Sequence, residues 1–575
     1  MVKQSDTVYC ACLERLLALK AASRLAAKDA TLFSTSPQEQ EYAARYLGWT
    51  SLSTRPPLPL SDITSLAAAI RAEGLEAVVL IGQGGSSQAS MTVTKLHELT
   101  HNDVAFRTMD SLSPVFVNHI LGSSDPARTL YIVSSKSGGT VEPLMLERVA
   151  WRYVSAHLGT VGAARRFVAI TDPGSGLEQL ARDKNYRTVL NSPVDVGGRF
   201  SALSVFTLLP AALVGIDLEE AVAFAADAER ACVRDDRDNP ALKLACFLHE
   251  GYLTGRDKFS LVIPPSGQVF GLWVEQLVAE SLGKDGKGIL PNVEVDASIL
   301  STPRADRTAI TYEVGHPEGF AESIANFDPT IPVCHYTLNT PKEVFARFVV
   351  WEYAIAFLGI LLEVNPFDQP DVEITKELVK TLLASKDGLK EASDFATVPL
   401  DSSDYIRTLR MSNALLKETE LDTPVSVDHA LRMLLGSLRT GDYFSLNAFL
   451  PFRGYGRREA LERMRNRVAS RLGVASCLEI GPRYLHSTGQ LHKGGPNTGV
   501  FLFISADEDN DIAIPGEDFT LGGLAAIQAQ GDFTALASRD RRALHIHLAG
   551  NDSETLSRFA DRLCAAVSAV KRPAE

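Results

Sequence analysis

The stretch Thr129–Thr140, TLYIVSSKSGGT, decides the fold. It opens with the apolar run TLYIV, short enough for a buried strand. It then packs hydroxyls, Lys136 and two glycines into Ser134–Thr140, SSKSGGT. A phosphate monoester dianion needs such a set, with hydroxyl and backbone donors around its oxygens and a cation beside them. A polar turn without a ligand is the plainer reading of this segment taken alone. Working outward, Ala77–Ile81 (AVVLI) leads into a second glycine loop, Gly82-Gln83-Gly84-Gly85-Ser86-Ser87. Glycines at a strand end let backbone amides approach an anion. This loop has neither the full G-x-G-x-x-G spacing of a dinucleotide site nor the G-K-[ST] of a P-loop. Two such loops at successive strand ends weigh against bare turns, because ligands of open α/β sheets gather at the carboxyl ends of strands.

Further apolar runs are Phe167–Ile170 (FVAI) and Phe259–Ile263 (FSLVI), with strand candidates at Ala309–Val314 and Ile331–Leu338. Short buried runs separated by helical patterns predict parallel strands with crossover helices, an α/β protein. Residues 1–50 read as helical, and Ser53–Pro59, STRPPLP, reads as a linker. The segment Pro341–Leu362 is apolar nearly all round, which predicts a core helix. Its Lys342, Glu343, Arg347 and Glu352 argue against a membrane span. The pattern weakens around residues 388–403. Beyond it, helix Arg457–Leu472 and strands near Phe444–Leu450, Gly499–Ile504 and Leu544–Leu548 predict a separate α/β unit. The expected division is 1–59 (helical segment and linker), 60–238, 239–395 and 396–575.

The chain has 575 residues, too many for one core at roughly 150 residues per domain. A net charge of -13 argues against nucleic acid, since no excess of Lys and Arg exists to neutralise phosphate chains. A local pocket can still take a small anion. The N-terminus lacks a signal-peptide core, and no long apolar run predicts a transmembrane helix. Seven scattered cysteines suit a reducing compartment, and a cytoplasmic location is expected. Cys10 and Cys12 read as ordinary helix thiols. His545 and His547 read as ordinary strand residues, and His97 and His101 as residues of a surface helix.

Four longer motifs carry a specific resemblance. They are GGRFS (Gly197–Ser201), ESLGKDGKG (Glu280–Gly288), NPFDQPDVE (Asn365–Glu373) and LHSTGQLHKGG (Leu485–Gly495). Together they resemble the glucose-6-phosphate isomerase family. The last motif, with AAKDATLF (Ala26–Phe33) and YLGW (Tyr46–Trp49), is most similar to the isomerase portion of bacterial transaldolase–isomerase fusions. That phrase starts so near the N-terminus that no transaldolase domain is expected. The resemblance implies two sugar-isomerase (SIS-type) parallel-sheet sandwich domains plus a C-terminal α/β domain. It implies a homodimer, a sugar-phosphate substrate, and no metal or other cofactor.

Residue by residue, the resemblance assigns phosphate binding to Ser135, Lys136, Ser137 and Thr140, bordered by Gly85 and Ser86. Gly198 precedes the family's arginine, here Arg199. Glu280 matches the catalytic glutamate, with Gln276 four residues earlier and so on the same helix face. Lys376 matches the family lysine. Gln83, Leu282 and Asp371 are small departures that remove no functional group. Isomerisation then needs one carboxylate, Glu280, to move a proton between C2 and C1 through a cis-enediol. Arg199 would stabilise the enediolate. Lys376 and a histidine would open the ring. Between Glu280 and Lys376, His316 and His335 sit in no family motif. His486 is therefore the candidate, on a C-terminal unit expected to fold over a sugar site of its own or of a partner subunit, with His492 second. A Gly-rich turn that merely packs that unit is the plainer reading. Alternatives are a broader phosphoglucose/phosphomannose isomerase and a non-catalytic sugar-phosphate-binding protein.

Overall fold

A computed structural model of the chain describes residues 6–101, 103–294, 296–315, 317–384, 395–397, 405–418, 426–452 and 456–573. The chain forms two compact units. The first comprises Met1–Asp110, His119–Leu282 and Gly288–Asp368. The second comprises Ser111–Asn118, Gly283–Lys287 and Gln369–Glu575.

The first unit contains two sheets. One is built from β1 (Ala77–Gly82), β2 (Ala105–Met109), β3 (Thr129–Ser134), β4 (Phe167–Thr171) and β5 (Thr188–Asn191). Their order is β2-β1-β3-β4-β5 and every pairing is parallel. Strands β1 and β3 are buried at every position, which is why they read as unbroken apolar runs. The chain leaves β1 for β2 on one side and returns to β3 on the other. The switch in winding therefore falls between β1 and β3, where doubly wound sheets bind ligands. Both loops singled out in the sequence leave the sheet there.

The other sheet has β6 (Lys258–Val262), β7 (Leu290–Glu294), β8 (Arg307–Val314) and β9 (Val333–Leu338), all parallel in the order β7-β6-β8-β9. Its winding reverses between β6 and β8. The predicted core helix is a short turn, Pro341–Glu343, followed by the α-helix Val344–Leu362, buried along nearly its whole length. By length and composition alone it could cross a membrane, but 89% of its apolar window is enclosed by protein. Glu352, one of the charges weighed against a span, is buried. Burial pushes its carboxyl well above the usual range.

The second unit has β10 (Phe395–Thr397), β11 (Ile406–Ser412), β12 (Tyr443–Phe449), β13 (Ala475–Ile480), β14 (Gly499–Ala506) and β15 (Arg542–Leu548). The order is β10-β11-β15-β14-β12-β13. Strands β12 to β15 are parallel; β10 and β11 run antiparallel to their neighbours. One face carries Phe444, Leu446, Leu502, Ile504, Leu544 and Ile546, all fully buried in the unit's core. On the opposite face Ser445, Asn447, Ser505 and His545 are polar and buried, beside the apolar Phe501 and Phe503. Helix Arg457–Leu472 spans the residues read from the sequence. Helix Pro370–Ala384 belongs to this unit, although it falls before the boundary expected at 395.

Candidate active site

The first unit brings together motifs far apart in sequence. The loop after β1 turns through Gly84–Ser86 and lies against the turn Gly198–Phe200. A Cβ at Gly85 would stand 2.1 Å from the Gly198 carbonyl oxygen, so no side chain fits there. Ser201 Oγ donates to the Gly198 carbonyl (2.7 Å) and lies 3.2 Å from that of Gly85. Behind the turn, Phe200 packs on Trp49 (4.9 Å) and on Phe367 (5.2 Å). The phrases YLGW, GGRFS and NPFDQP thus share one aromatic cluster, with each such pair contributing ~0.5–1.5 kcal/mol beyond burial.

Arg199 is the node of the site. It is 8% exposed, and its guanidinium is engaged in several directions. Nη1 lies 3.2 Å from Glu280 Oε1. Nε donates to Ser281 Oγ at 3.0 Å, and Nη2 donates to the carbonyls of Pro366 (3.0 Å) and Asp368 (3.2 Å). Glu280 is equally buried, near the end of helix Gln268–Leu282. Gln276, one turn earlier on that helix, donates from Nε2 to Glu280 Oε2 at 3.1 Å. A buried carboxylate is tolerable only when paired and hydrogen-bonded, and Arg199 and Gln276 supply both.

The loop after β3 is organised around the same point. Ser86 Oγ donates to the carbonyls of Gln83 (2.8 Å) and Ser134 (3.1 Å), and Ser134 Oγ donates to that of Ser86 (2.8 Å). Ser86 thus joins the two loops, and its proton is committed to the protein rather than offered to a ligand. Ser135 Oγ meets Thr140 Oγ1 at 3.3 Å, and Gly139 N–H donates to Ser137 Oγ at 3.3 Å. Ser137 and Gly139 are exposed, and Thr140 immediately precedes helix Val141–Ala164, so the loop presents a helix N-terminus to solvent. Lys136 turns to Asp172, at 2.6 Å, and its charge is balanced there.

Residues that sequence reasoning missed follow one rule. Asp172 comes directly after β4, Ser281 directly after Glu280, and the Pro366 and Asp368 carbonyls lie within a motif already quoted. The position of Asp172 at a strand's carboxyl end was a usable signal. Tyr42 is harder to foresee. Burial and neighbouring Tyr46 push its hydroxyl up to about 12, and Asp368 and Arg199 act on it electrostatically. It sits on helix Pro37–Ala44, in a segment read only as helical.

The other candidates lie in the second unit. Lys376 falls within helix Pro370–Ala384, but its side chain lies outside the described residues, as do His316 and Cys10. His486 is half-buried at the end of the turn Arg483–His486. His492 is 1% exposed among the rings of Phe501 (5.0 Å), Tyr484 (6.0 Å) and Tyr443 (6.1 Å), with neither ring nitrogen hydrogen-bonded. Burial holds its imidazole well below the usual histidine range. Enclosed by these rings, it is placed as a core residue rather than at an open surface. His97 is buried at the end of helix Gln88–His97 and stacks on His101 at 4.6 Å, so the surface-helix reading fails for it. His545 Nε2 and His547 Nδ1 both meet Ser505 Oγ at 2.8 Å, a strand-to-strand tie.

Fold and site together define an α/β protein whose first sheet reverses its winding beside two glycine-rich loops, in the same unit as a buried Arg199–Glu280 pair. The chain matches the phosphoglucose isomerase family over residues 68–284. It is 32% identical over 393 residues to a glucose-6-phosphate isomerase of Symbiobacterium thermophilum, covering 59% of this chain and 87% of that one. The chain belongs to the glucose-6-phosphate isomerase family. A glucose-6-phosphate isomerase of Parabacteroides distasonis is 30% identical over 410 residues, covering 61% of this chain and 89% of that one. Among solved structures, a hypothetical protein from Thermus thermophilus superposes with a TM-score of 0.55 at 25% identity, over 67% of this chain and 100% of that one. A glucose-6-phosphate isomerase from Chlamydia trachomatis superposes with a TM-score of 0.50 at 20% identity, over 63% of this chain and 78% of that one, a likeness of fold.

Proposed function

We propose that the chain interconverts D-glucose 6-phosphate and D-fructose 6-phosphate, an aldose–ketose isomerisation that serves glycolysis and gluconeogenesis. The observation that carries this reading is the meeting of GGRFS, ESLGKDGKG and NPFDQP at Arg199, with Glu280 3.2 Å from it. In the reaction Glu280 takes the C2 proton of open-chain glucose 6-phosphate and returns it to C1. The enediol's hydroxyl proton moves from O2 to O1, so no redox partner is needed. Arg199, held in place before substrate arrives, stabilises charge on the enediolate oxygens. The loop Ser135–Thr140, with Gly85 and Gly198, anchors the phosphate and orients the reacting end. Gln276 fixes the carboxylate. Lys376 and His486 serve ring opening, for which an imidazole of ordinary pKa is suited.

The motif LHSTGQLHKGG supports a likeness to the isomerase portion of transaldolase–isomerase fusions. The acidic balance supports a protein without nucleic-acid partners, the scattered cysteines support a cytoplasmic one, and the family likeness supports a homodimer. Within the chain, 60–238 and 239–395 are proposed as the two sugar-isomerase domains, flanked by 1–59 and 396–575, with helix Pro370–Ala384 of the second span shared with the C-terminal unit. A non-catalytic sugar-phosphate binder would have no use for the Glu280–Arg199 pair.

A coupled assay of glucose 6-phosphate formation from fructose 6-phosphate, with chelator present and mannose 6-phosphate run beside it, tests the reading. Glu280→Gln should keep sugar-phosphate binding yet lose turnover and C2 exchange with deuterated solvent by several orders of magnitude. A wild-type chain that binds the substrate without isomerising it would refute the assignment.

A further inference from the structure

The motif LHSTGQLHKGG supplied one histidine that the structure buries and one that it half-buries, yet a polar group more enclosed than either is Gln490. Gln490 is fully buried on helix Gly489–Gly494, and its carboxamide is used at both ends. Nε2 donates to the Gly283 carbonyl at 3.0 Å and to Asp371 Oδ2 at 2.6 Å. Oε1 accepts from the Asp371 N–H at 3.0 Å. Gly494 closes the same contact. A Cβ there would stand 2.2 Å from Asp371 Oδ2 and 2.7 Å from the Gly283 oxygen, and its carbonyl accepts from Gly286 N–H at 2.9 Å. Arg539 binds the other Asp371 oxygen at 2.6 Å.

Both clamped segments lead along the chain to residues of the proposed chemistry. Gly283 follows directly on helix Gln268–Leu282, which bears Glu280 and Gln276 near its end. Asp371 is the second residue of helix Pro370–Ala384, which bears Lys376. We infer that Gln490 is a positioning residue for the isomerisation. Its single carboxamide pins Gly283, the residue that follows the Glu280 helix along the chain, and Asp371, the second residue of the helix that bears Lys376. The inference rests on the proposed isomerase activity. It also gives Asp371, which departs from the family pattern, a specific partner.

The test uses the full-length chain with Gln490→Met, which keeps length but cannot hydrogen-bond, and Gln490→Glu, which turns a donor into an acceptor facing Asp371. Active sites are counted by titration with a five-carbon aldonic acid phosphate, whose carboxylate mimics the enediolate. For both variants kcat per counted site should fall by about ten-fold or more, while KM for fructose 6-phosphate changes by less than about three-fold. C2 proton exchange should fall with kcat. Backbone amides of Gly283–Lys287 should lose hydrogen-exchange protection. A merely structural role would lower the number of sites and leave kcat per site unchanged, and that result in either folded variant would overturn the inference. If the wild-type chain proves not to isomerise, the functional reading fails. Hydrogen exchange then judges the clamp alone, and unchanged protection at Gly283–Lys287 would overturn it.

Discussion

Ser86 and Ser134 exchange hydrogen bonds, each hydroxyl reaching the other's carbonyl, at 3.1 and 2.8 Å. The loops after β1 and β3 therefore move as one body, although 48 residues separate the two serines. Ser134→Ala should loosen that body without touching Glu280. A net hydrogen bond of ~0.5–1.5 kcal/mol corresponds to a rise in KM of roughly two- to ten-fold, with kcat within about two-fold. Steady-state kinetics on fructose 6-phosphate check this. A fall in kcat with unchanged KM would show that the loops take part in the chemical step.

Arg199→Lys should be far from conservative. A lysine ammonium cannot bind Glu280, Ser281 and two carbonyls in a fixed fork. Turnover should fall by ~10²- to 10³-fold, the usual effect of removing a preorganised donor from an oxyanion. Arg199→Ala should also lower thermal stability, because an unpaired buried carboxylate costs about 3–5 kcal/mol. Thermal melts beside the kinetics separate the two effects; near-normal turnover in Arg199→Lys would remove Arg199 from the mechanism.

Lys136 and Asp172 make opposite predictions for one ligand. Lys136→Ala should weaken competitive inhibition by inorganic phosphate by roughly ten- to a hundred-fold, since a charged hydrogen bond is worth ~1.5–3 kcal/mol. Asp172→Asn releases the lysine from its partner and should strengthen that inhibition. Inhibition constants at fixed ionic strength decide the matter. Shifts in the same direction would mean that the pair only braces the loop.

Glu508 gives the second unit a pH dependence. Burial pushes its carboxyl from an ordinary 4.5 up to about 7. Between those values the folded chain holds a proton that the unfolded chain has released, so this group's contribution to stability is present below pH 4.5 and is lost as pH rises toward 7. Glu508→Gln should flatten that decline. Melting temperatures at pH 5 and pH 8 should lie closer together in the variant than in the wild type. An equal drop in both would place the titration elsewhere.

Much of this architecture is legible because parallel strands buried on two faces must be apolar throughout. TLYIV and AVVLI announce themselves, and the polar loops that follow stand out against them. Helix Arg457–Leu472 is equally plain, for its pattern is local. What depends on distant partners is not. Nothing near Gln490 in sequence discloses that it grips Gly283 and Asp371. His492 sits in a motif rich in polar residues, and only the rings of Tyr443, Tyr484 and Phe501 make it a core residue. The boundary expected at 395 followed a change in composition, whereas helix Pro370–Ala384 is assigned by what it packs on.

The chain passes between its two units five times, at Asp110–Ser111, Asn118–His119, Leu282–Gly283, Lys287–Gly288 and Asp368–Gln369. No single cut in the gene can release either unit whole. A fragment beginning at Gln369 would lack Ser111–Asn118 and Gly283–Lys287, and with the latter the carbonyl that Gln490 binds. A fragment ending there would keep those two segments stripped of their surroundings. Split-gene complementation should therefore succeed only when both pieces are made together, and mosaic enzymes that exchange the C-terminal third with a relative must carry the two short inserts along with it.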